Sequence, residues 1–243
     1  MKANDSTVFT FIRCIPADGY YVKSVEYIET MDGEHSAIQA LRLKQLFYDL
    51  DCDYCVMDTA GNSISIYEEC SKITFDAIRG IEYPAWCAMN DDKMKERAFD
   101  PNAVPLIQSI KVAGSSGAQT NHEMATYTKT QFEQKKIKLL CSEIEGKEYM
   151  IENHKLMNMD GAKAARMIVP YFQTSRLINE MINLEMQTGG GYIKLVEPSG
   201  HRKDRYSSLS YCLYFIKGLE SVMRVKQDDV DDLEVWSSYI QGF

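Results

Sequence analysis

The sequence predicts an α/β protein. The chain opens with two strand-like segments joined by a turn, and an amphipathic helix then leads into a short apolar strand. A strand–helix–strand order implies a sheet with at least one parallel strand pair. With 243 residues, 45% of them hydrophobic, the chain can bury a sizeable core. Since there is no internal repeat or low-complexity linker, we expect one domain over residues 1–226 and an acidic carboxyl-terminal tail over 227–243.

The first three elements have the clearest patterns. Residues 7–13 and 20–29 are rich in β-branched and aromatic side chains and flank a turn at residues 16–19. Apolar residues then recur at helical spacing between Ser36 and Asp49, which predicts a crossover helix. Residues 53–58 form a short apolar run that is typical of a buried strand.

The rest of the chain alternates between weaker helix and strand signals. We expect a looser surface excursion over residues 79–105, which hold three prolines and a charged stretch. The remaining predicted elements, in order, are a helix starting at 64–70, a strand at 104–113, a flexible turn at 114–117, a helix at 121–140 with a basic end, a helix at 175–186, a strand at 192–197 and a helix at 205–223.

Composition excludes several classes of protein. No run approaches the roughly eighteen apolar residues of a membrane span, and residues 1–5 lack the apolar core of a signal peptide, so we expect a soluble intracellular protein. Seven cysteines, an odd number, favour reduced thiols. Cys52 and Cys55 form a single CxxC with no second ligand pair, so core packing is a better interpretation than a metal or redox role.

Two acids stand out by their position. Asp58 ends an apolar strand and opens a glycine-containing loop, which places it at the carboxyl edge of a sheet, where α/β sites tend to lie. The alternative is that its side chain caps the following turn. Asp204 precedes the last helix and is either an ordinary helix cap or, with His201 three residues earlier, part of a ligand set for a divalent cation.

Three segments carry a family resemblance: Asp-Thr-Ala-Gly at 58–61, the run from Pro170 to Glu185, and Lys-Asp-Arg-Tyr-Ser-Ser-Leu-Ser-Tyr-Cys-Leu-Tyr at 203–214. In this order the chain resembles the carboxyl-terminal nuclease domain of tailed-bacteriophage terminase large subunits. The resemblance implies a ribonuclease H-like fold, a mixed central sheet flanked by helices on both faces. It also implies metal-dependent cutting of concatemeric viral DNA during genome packaging in the host cytoplasm, with the terminase small subunit and the portal protein as partners.

The resemblance also assigns roles to residues. Asp58 matches the family's second-strand acid and Asp204 the acid before the last helix, while His201 matches a histidine that some members carry. We therefore expect these three residues to be catalytic and to bind a pair of Mg²⁺ or Mn²⁺ ions, which would activate water for phosphodiester hydrolysis. The cations Arg202, Lys203 and Arg205 are candidates for contacts with double-stranded DNA, and plain surface roles remain open for each.

Two departures from the family pattern matter. The first-strand acid of the family has no counterpart, because the chain begins too late to contain it and Asp5 corresponds to the following loop. No phosphate loop of a packaging ATPase occurs either. We therefore expect a fragment that is a weak or inactive nuclease by itself. The open alternatives are a non-catalytic interaction module of the packaging machine and a resolvase-like nuclease of the same fold.

The net charge of −8 is opposite in sign to the basic surface expected of a protein that holds DNA by phosphate neutralisation alone. Five acids and one lysine fall within residues 226–235, so about half of the excess belongs to the tail. Around the predicted site the balance is positive, with three cations at Arg202, Lys203 and Arg205. An acidic total is therefore compatible with DNA binding through metal ions and a local basic rim.

Overall fold

The computed structural model describes residues 6–61, 63–113 and 117–240, with side chains described as far as residue 223. The strands are β1 (Thr7–Ala17), β2 (Tyr20–Met31), β3 (Cys55–Asp58), β4 (Thr74–Asp76), β5 (Ile81–Tyr83), β6 (Trp86–Ala88), β7 (Val104–Ile110), β8 (Ile137–Lys138), β9 (Glu185–Gly189) and β10 (Tyr192–Val196). The helices are α1 (Ser36–Asp49), α2 (Ser63–Cys70), α3 (Asp92–Glu96), α4 (Gly117–Glu133), α5 (Glu143–His154), α6 (Gly161–Asn183) and α7 (Asp204–Ile240).

The strands of the described chain form two three-stranded sheets and two hairpins. In the first sheet β2 lies between β1, which is antiparallel to it, and the short β8, which is parallel to it. In the second sheet β7 lies between β3 and β6, and all three strands are parallel. The α/β class and the parallel pairing are therefore confirmed, but the strands do not join into one central sheet, because β1 and β3 are not hydrogen bonded to each other.

Two hydrophobic clusters hold the helices against the sheets. One packs α1 and α2 against Phe9 of β1 and Met57 of β3. The other packs α7 and α6 against Val25 and Ile28 of β2, with Leu177, Leu209 and Leu213 fully buried within it. Because side chains alternate along a strand, β1 contributes Phe9 to the first cluster and Val8 to the second. Helices therefore cover both faces of the β1–β2 hairpin.

The long helices differ most from their expected bounds. The helix predicted at 175–186 begins at Gly161 and contains Pro170, which lacks a backbone N–H. Its first half packs on α5, where a Cβ added to Gly146 would lie 2.3 Å from Cγ of Tyr171, so the two helices touch through this glycine. The last helix runs through Ile240 instead of ending at 223, so the backbone of the expected tail is helical as far as it is described.

Two other expectations need correction. The segment 79–105 is not a plain surface excursion, because β6 lies within it and Trp86 and Ala88 are fully buried. Three-residue strands are too short to show a period, which explains why the pattern was missed. The helix expected at 121–140 ends at Glu133, and its predicted basic end instead contains β8, which pairs with Lys23 and Ser24 of β2.

The hairpin at the start of the chain, α1, the strand before Asp58 and the strand at 192–197 are confirmed within a few residues. The expected turn at 114–117 falls largely on residues outside the described part, as do Asp5 and the side chains of the acidic tail. Among the described residues, no helix combines the length and hydrophobicity needed to cross a lipid bilayer.

Candidate functional site

Asp58 is the last residue of β3 and holds the turn that follows. Its Oδ1 accepts a hydrogen bond from the backbone N–H of Ala60 at 3.0 Å. The turn continues through Gly61, whose φ of +60° favours glycine, and α2 begins two residues later. The turn-capping interpretation of Asp58 is therefore confirmed for one carboxylate oxygen. The other oxygen, Oδ2, lies 3.5 Å from the hydroxyl of Tyr211.

Asp204 is the first residue of α7, and its position is fixed from two sides. Its Oδ2 accepts a hydrogen bond from the backbone N–H of Ser6 at 3.0 Å, just before β1 begins. On the other side, Glu180 of α6 accepts the backbone N–H groups of Arg205 and Tyr206 at 2.9 and 3.1 Å. A carboxylate on these N–H groups satisfies the orphan donors at the start of a helix, so Glu180 anchors the end of α7 that carries Asp204.

Tyr211 connects the two acids. It follows Asp204 by two helical turns, and residues at that spacing lie on the same face of a helix. Burial raises the pKa of the Tyr211 phenol most, and the carboxylates of Asp58 and, to a smaller extent, Asp204 raise it further. Asp58, Asp204 and Tyr211 all line one cavity of about 1440 Å³. Asp58 and Asp204 therefore line the same cavity and both act on Tyr211, although they lie far apart in the sequence.

Asp58 is a half-buried carboxylate. Burial raises its pKa, and the hydrogen bonds from Ala60 N–H and the Tyr211 hydroxyl oppose that rise only in part. Among the described residues, no lysine or arginine forms an ion pair with Asp58. Such a carboxylate gains stability from a bound positive charge.

His201 does not join the two acids. Its backbone N–H donates to the carbonyl of Pro198 at 3.0 Å in the turn before α7, and the residue is exposed. It is also not among the residues that line the cavity. The three-residue spacing from Asp204 therefore does not by itself direct both side chains to one point, and a ligand role for His201 stays a prediction.

The three cations near Asp204 have different environments. Arg205 pairs with Glu180 at 2.6 Å and donates to Gln173 at 2.7 Å, and its side chain is 12% exposed. Lys203 is partly exposed and pairs with Glu197 at 2.8 Å. Arg202 is the most exposed of the three and lies 3.2 Å from Asp32. Contacts with DNA stay a prediction for all three cations. Arg205 also has a structural role, because it packs against Glu180 and Gln173.

Arg202 belongs to a polar network that positions Asp204. Its guanidinium and the carboxylate of Asp32 both contact the hydroxyl of Ser6, whose backbone N–H holds Asp204. The Ser6 hydrogen bond and the guanidinium keep the pKa of Asp32 below its usual range. The loop before α7 is thereby fastened to the ends of β1 and β2.

The cysteines of the CxxC pack into the protein as expected. Cys55 is buried in the first hydrophobic cluster, and Cys52 packs against that cluster. Burial raises the pKa of the Cys52 thiol to about 11 and that of Cys55 well above its ordinary value. Protonated, buried thiols are poor nucleophiles and poor metal ligands.

Asp58 and Asp204 fit a hard cation in part. In proteins Mg²⁺ is usually held by one or two carboxylates together with waters and substrate phosphates. Asp58 and Asp204 can supply the two carboxylates of such a ligand set. His201 does not extend the set. Among the described residues, no three His, Cys, Asp or Glu side chains are grouped in a way that could hold an ion without help from another molecule.

The structure adds residues that the sequence did not single out. Tyr211 had a detectable signal, since its spacing of seven from Asp204 puts both on one helix face. Ser6, Asp32 and Glu180 had none, because they reach Asp204 through contacts between distant parts of the chain.

Comparisons with known proteins leave the family open. No protein-family model matches this sequence, no curated protein is significantly similar to it, and no solved structure matches its fold.

Proposed function

We propose that this protein is a metal-dependent DNA endonuclease of the terminase type with a ribonuclease H-like fold. In this proposal it cuts concatemeric viral DNA during genome packaging in the cytoplasm of the bacterial host, together with a terminase small subunit and a portal protein. The family resemblance of segments 58–61, 170–185 and 203–214 supplies the identity of the substrate. The arrangement of the acids supports the hydrolytic chemistry.

The observation that carries the proposal is that Asp58 and Asp204 line one cavity together with Tyr211, whose pKa both carboxylates raise in addition to burial. The sequence pattern singles out both acids, and in the fold Oδ2 of Asp58 lies 3.5 Å from the hydroxyl of Tyr211, which follows Asp204 by two turns of α7.

The chemistry follows from the residue types. Mg²⁺ or Mn²⁺ bound here would neutralise charge on the phosphate and lower the pKa of bound water. In this proposal Oδ2 of Asp58, which lies 3.5 Å from the Tyr211 hydroxyl, binds the ion, while Oδ1 accepts from Ala60 N–H and orients the carboxylate. Asp204 is held by Ser6 N–H, and Tyr211 donates a hydrogen bond that favours the ionised form of Asp58. Each acid is thus held in place for an incoming ion.

DNA contacts in this proposal belong to Arg202 and Lys203. Both side chains are partly exposed next to Asp204 and pair with carboxylates that are themselves exposed, so a phosphate can compete for them. The guanidinium of Arg205 stays on Glu180, which is 8% exposed.

The proposal is tested by Mn²⁺ titration calorimetry and plasmid nicking on the wild type, Asp58→Asn and Asp204→Asn. We expect each substitution to weaken Mn²⁺ binding and to abolish any nicking. Asp53→Asn is the matched control, because this exposed acid lines the same cavity near the start of β3. If the Asn variants at 58 and 204 bind Mn²⁺ and nick DNA like the wild type, the assignment is wrong, and a non-catalytic interaction module becomes the better description.

A further inference from the structure

The cavity between the two sheets is larger than the candidate metal site needs. One wall is the edge of β1 over the nine residues Ser6–Cys14, and the opposite wall is Asp53–Asp58, which includes β3. Helix α1 covers it on one face of β1 and α7 on the other. Its volume of about 1440 Å³ exceeds the range of roughly 300–1,000 Å³ for small-molecule pockets. Because the lining follows Ser6–Cys14 on one side and Asp53–Asp58 on the other, the cavity favours an elongated occupant.

The edge of β1 that faces the cavity has no strand partner in the described chain. Ala17 and Tyr20 flank the two-residue turn of the hairpin and form a hydrogen-bonded pair. The odd-numbered residues of β1 therefore direct their N–H and C=O groups toward β2, and the even-numbered residues direct theirs away from it. The bulge of this ladder adds its extra residue to β2, so the alternation along β1 continues.

Side chains of α7 take up some of these outward groups. The carbonyl of Val8 accepts a hydrogen bond from Ser208 Oγ at 3.1 Å, and that of Thr10 accepts one from Cys212 Sγ at 3.7 Å. A thiol is a weak donor. Both contacts use carbonyl groups, and within the described part of the chain the outward N–H groups of Val8 and Thr10 have no hydrogen-bond acceptor. An edge with free N–H and C=O groups is a template for another strand.

β1 and β3 run in opposite directions across the cavity. The start of β1 lies at the acids, since Ser6 N–H contacts Asp204, and β3 ends there at Asp58. At the other end, Cys14 of β1 and Asp53, just before β3, both line the cavity. A strand placed between them must be antiparallel to one and parallel to the other. Antiparallel pairing is slightly the more stable, so the longer β1 edge favours an occupant antiparallel to β1.

The lining defines the side chains of the occupant. The lining mixes apolar and polar side chains. Its apolar members include Leu43 and Phe47 from α1 and Phe215 and Ile216 from α7, and its charged members outside the candidate metal site include Arg13, Glu26 and Asp53. Strands that are buried on both faces are nearly continuous apolar runs.

We propose that this cleft binds an extended, mainly apolar peptide strand of a partner polypeptide, which pairs through its backbone with β1 and β3 and joins the two sheets into one. The proposal rests on the strand edges and the cavity and does not depend on the hydrolytic function. Its occupant is recognised by backbone hydrogen bonds and apolar side chains, which is the β-augmentation mode of peptide binding.

The test uses a display library of nonapeptides with Val, Ile, Leu, Phe or Thr at the central positions, selected against the whole protein. The best binder is then resynthesised with N-methyl groups at alternate residues, which keeps the side chains and removes the backbone donors. We expect the parent peptide to protect the amides of Val8 and Thr10 from hydrogen exchange, and N-methylation on the edge facing β1 to weaken binding by about tenfold or more.

A protein variant provides the reciprocal test. Thr10→Pro removes an N–H that points away from β2, so it should lower peptide affinity by about tenfold while the hairpin persists. Thr10→Val is the matched control, since it keeps the N–H and removes a buried hydroxyl that has no hydrogen-bond partner among the described residues. Circular dichroism checks that both variants fold. If Thr10→Pro does not fold, the comparison of the parent peptide with the N-methylated peptide on the wild-type protein tests the proposal.

Three results would overturn the proposal. In the first, the library yields no peptide that binds the wild type. In the second, the selected peptide binds equally well after N-methylation, which would mean that the cavity takes up apolar groups without strand pairing. In the third, the protein self-associates as its concentration rises and the peptide does not compete, which would make a second copy of the chain the occupant.

Discussion

Breaking the pair between Arg205 and Glu180 should destabilise the protein strongly. The two side chains lie 2.6 Å apart and are 12% and 8% exposed. Arg205→Met leaves the Glu180 carboxylate buried without its guanidinium, and burial already raises the pKa of that carboxyl. Removing one partner of a buried ion pair costs about 3–5 kcal/mol. At about 2–4 °C per kcal/mol for a chain of this size, the midpoint of thermal unfolding should fall by roughly 6–20 °C.

The measurement is urea and thermal unfolding followed by circular dichroism. Arg202→Met is the matched control, because its ion pair with Asp32 is exposed at 3.2 Å and should be worth less than about 1 kcal/mol. The double variant Arg205→Met with Glu180→Leu should recover most of the lost stability, since an apolar pair can replace a buried ion pair.

The result that would refute this reasoning is a loss for Arg205→Met no larger than that for Arg202→Met. Arg205 would then be free of Glu180 in solution and available to a phosphate group. A large loss of stability instead means that any loss of DNA binding in Arg205 variants must be corrected for unfolding.

Three further predictions concern single side chains. Burial raises the pKa of Asp58 above its unfolded value of about 3.9, so the folded state loses stability as pH rises from the unfolded pKa to the folded pKa. Asp58→Asn should therefore stabilise the protein at pH 7 and lose this advantage in acid, which urea unfolding at several pH values would measure. Tyr211→Phe removes the hydroxyl 3.5 Å from Asp58 and should weaken Mn²⁺ binding about tenfold or more in calorimetry, whereas unchanged binding would remove Tyr211 from the site. Lys23→Met leaves Glu220 buried without its cation and should cost about 3–5 kcal/mol in urea unfolding. A much smaller loss would mean that the Tyr127 hydroxyl and the Tyr21 N–H, which also donate to Glu220, satisfy the carboxylate without Lys23.

The parts of the fold that the sequence predicted are those with a strong local pattern. α1 was found to the residue because its apolar positions repeat at helical spacing over four turns. The first half of α6 was missed because Pro170 indicates a break, whereas packing against α5 keeps the helix continuous. The two three-residue strands on either side of Pro84 carry no measurable period. Tertiary contacts decide the structure in such segments.

The same distinction holds for the site. Asp58 could be predicted because the end of an apolar strand is a local signal, and Asp204 because it precedes a long amphipathic helix. The cavity between the sheets could not be predicted from the sequence, because it depends on which strand edges stay unpaired. Nor could the environment of Arg205, because Glu180 reaches it from another helix.

The central claim is that Asp58 and Asp204 bind the same divalent cation or pair of cations. Anomalous diffraction from a crystal soaked in Mn²⁺ tests it most directly. We predict a peak about 2.1 Å from carboxylate oxygens of both residues, and its loss in Asp58→Asn crystals soaked in the same way. A peak that avoids both carboxylates, or no peak at a concentration that saturates binding in solution, would contradict the claim.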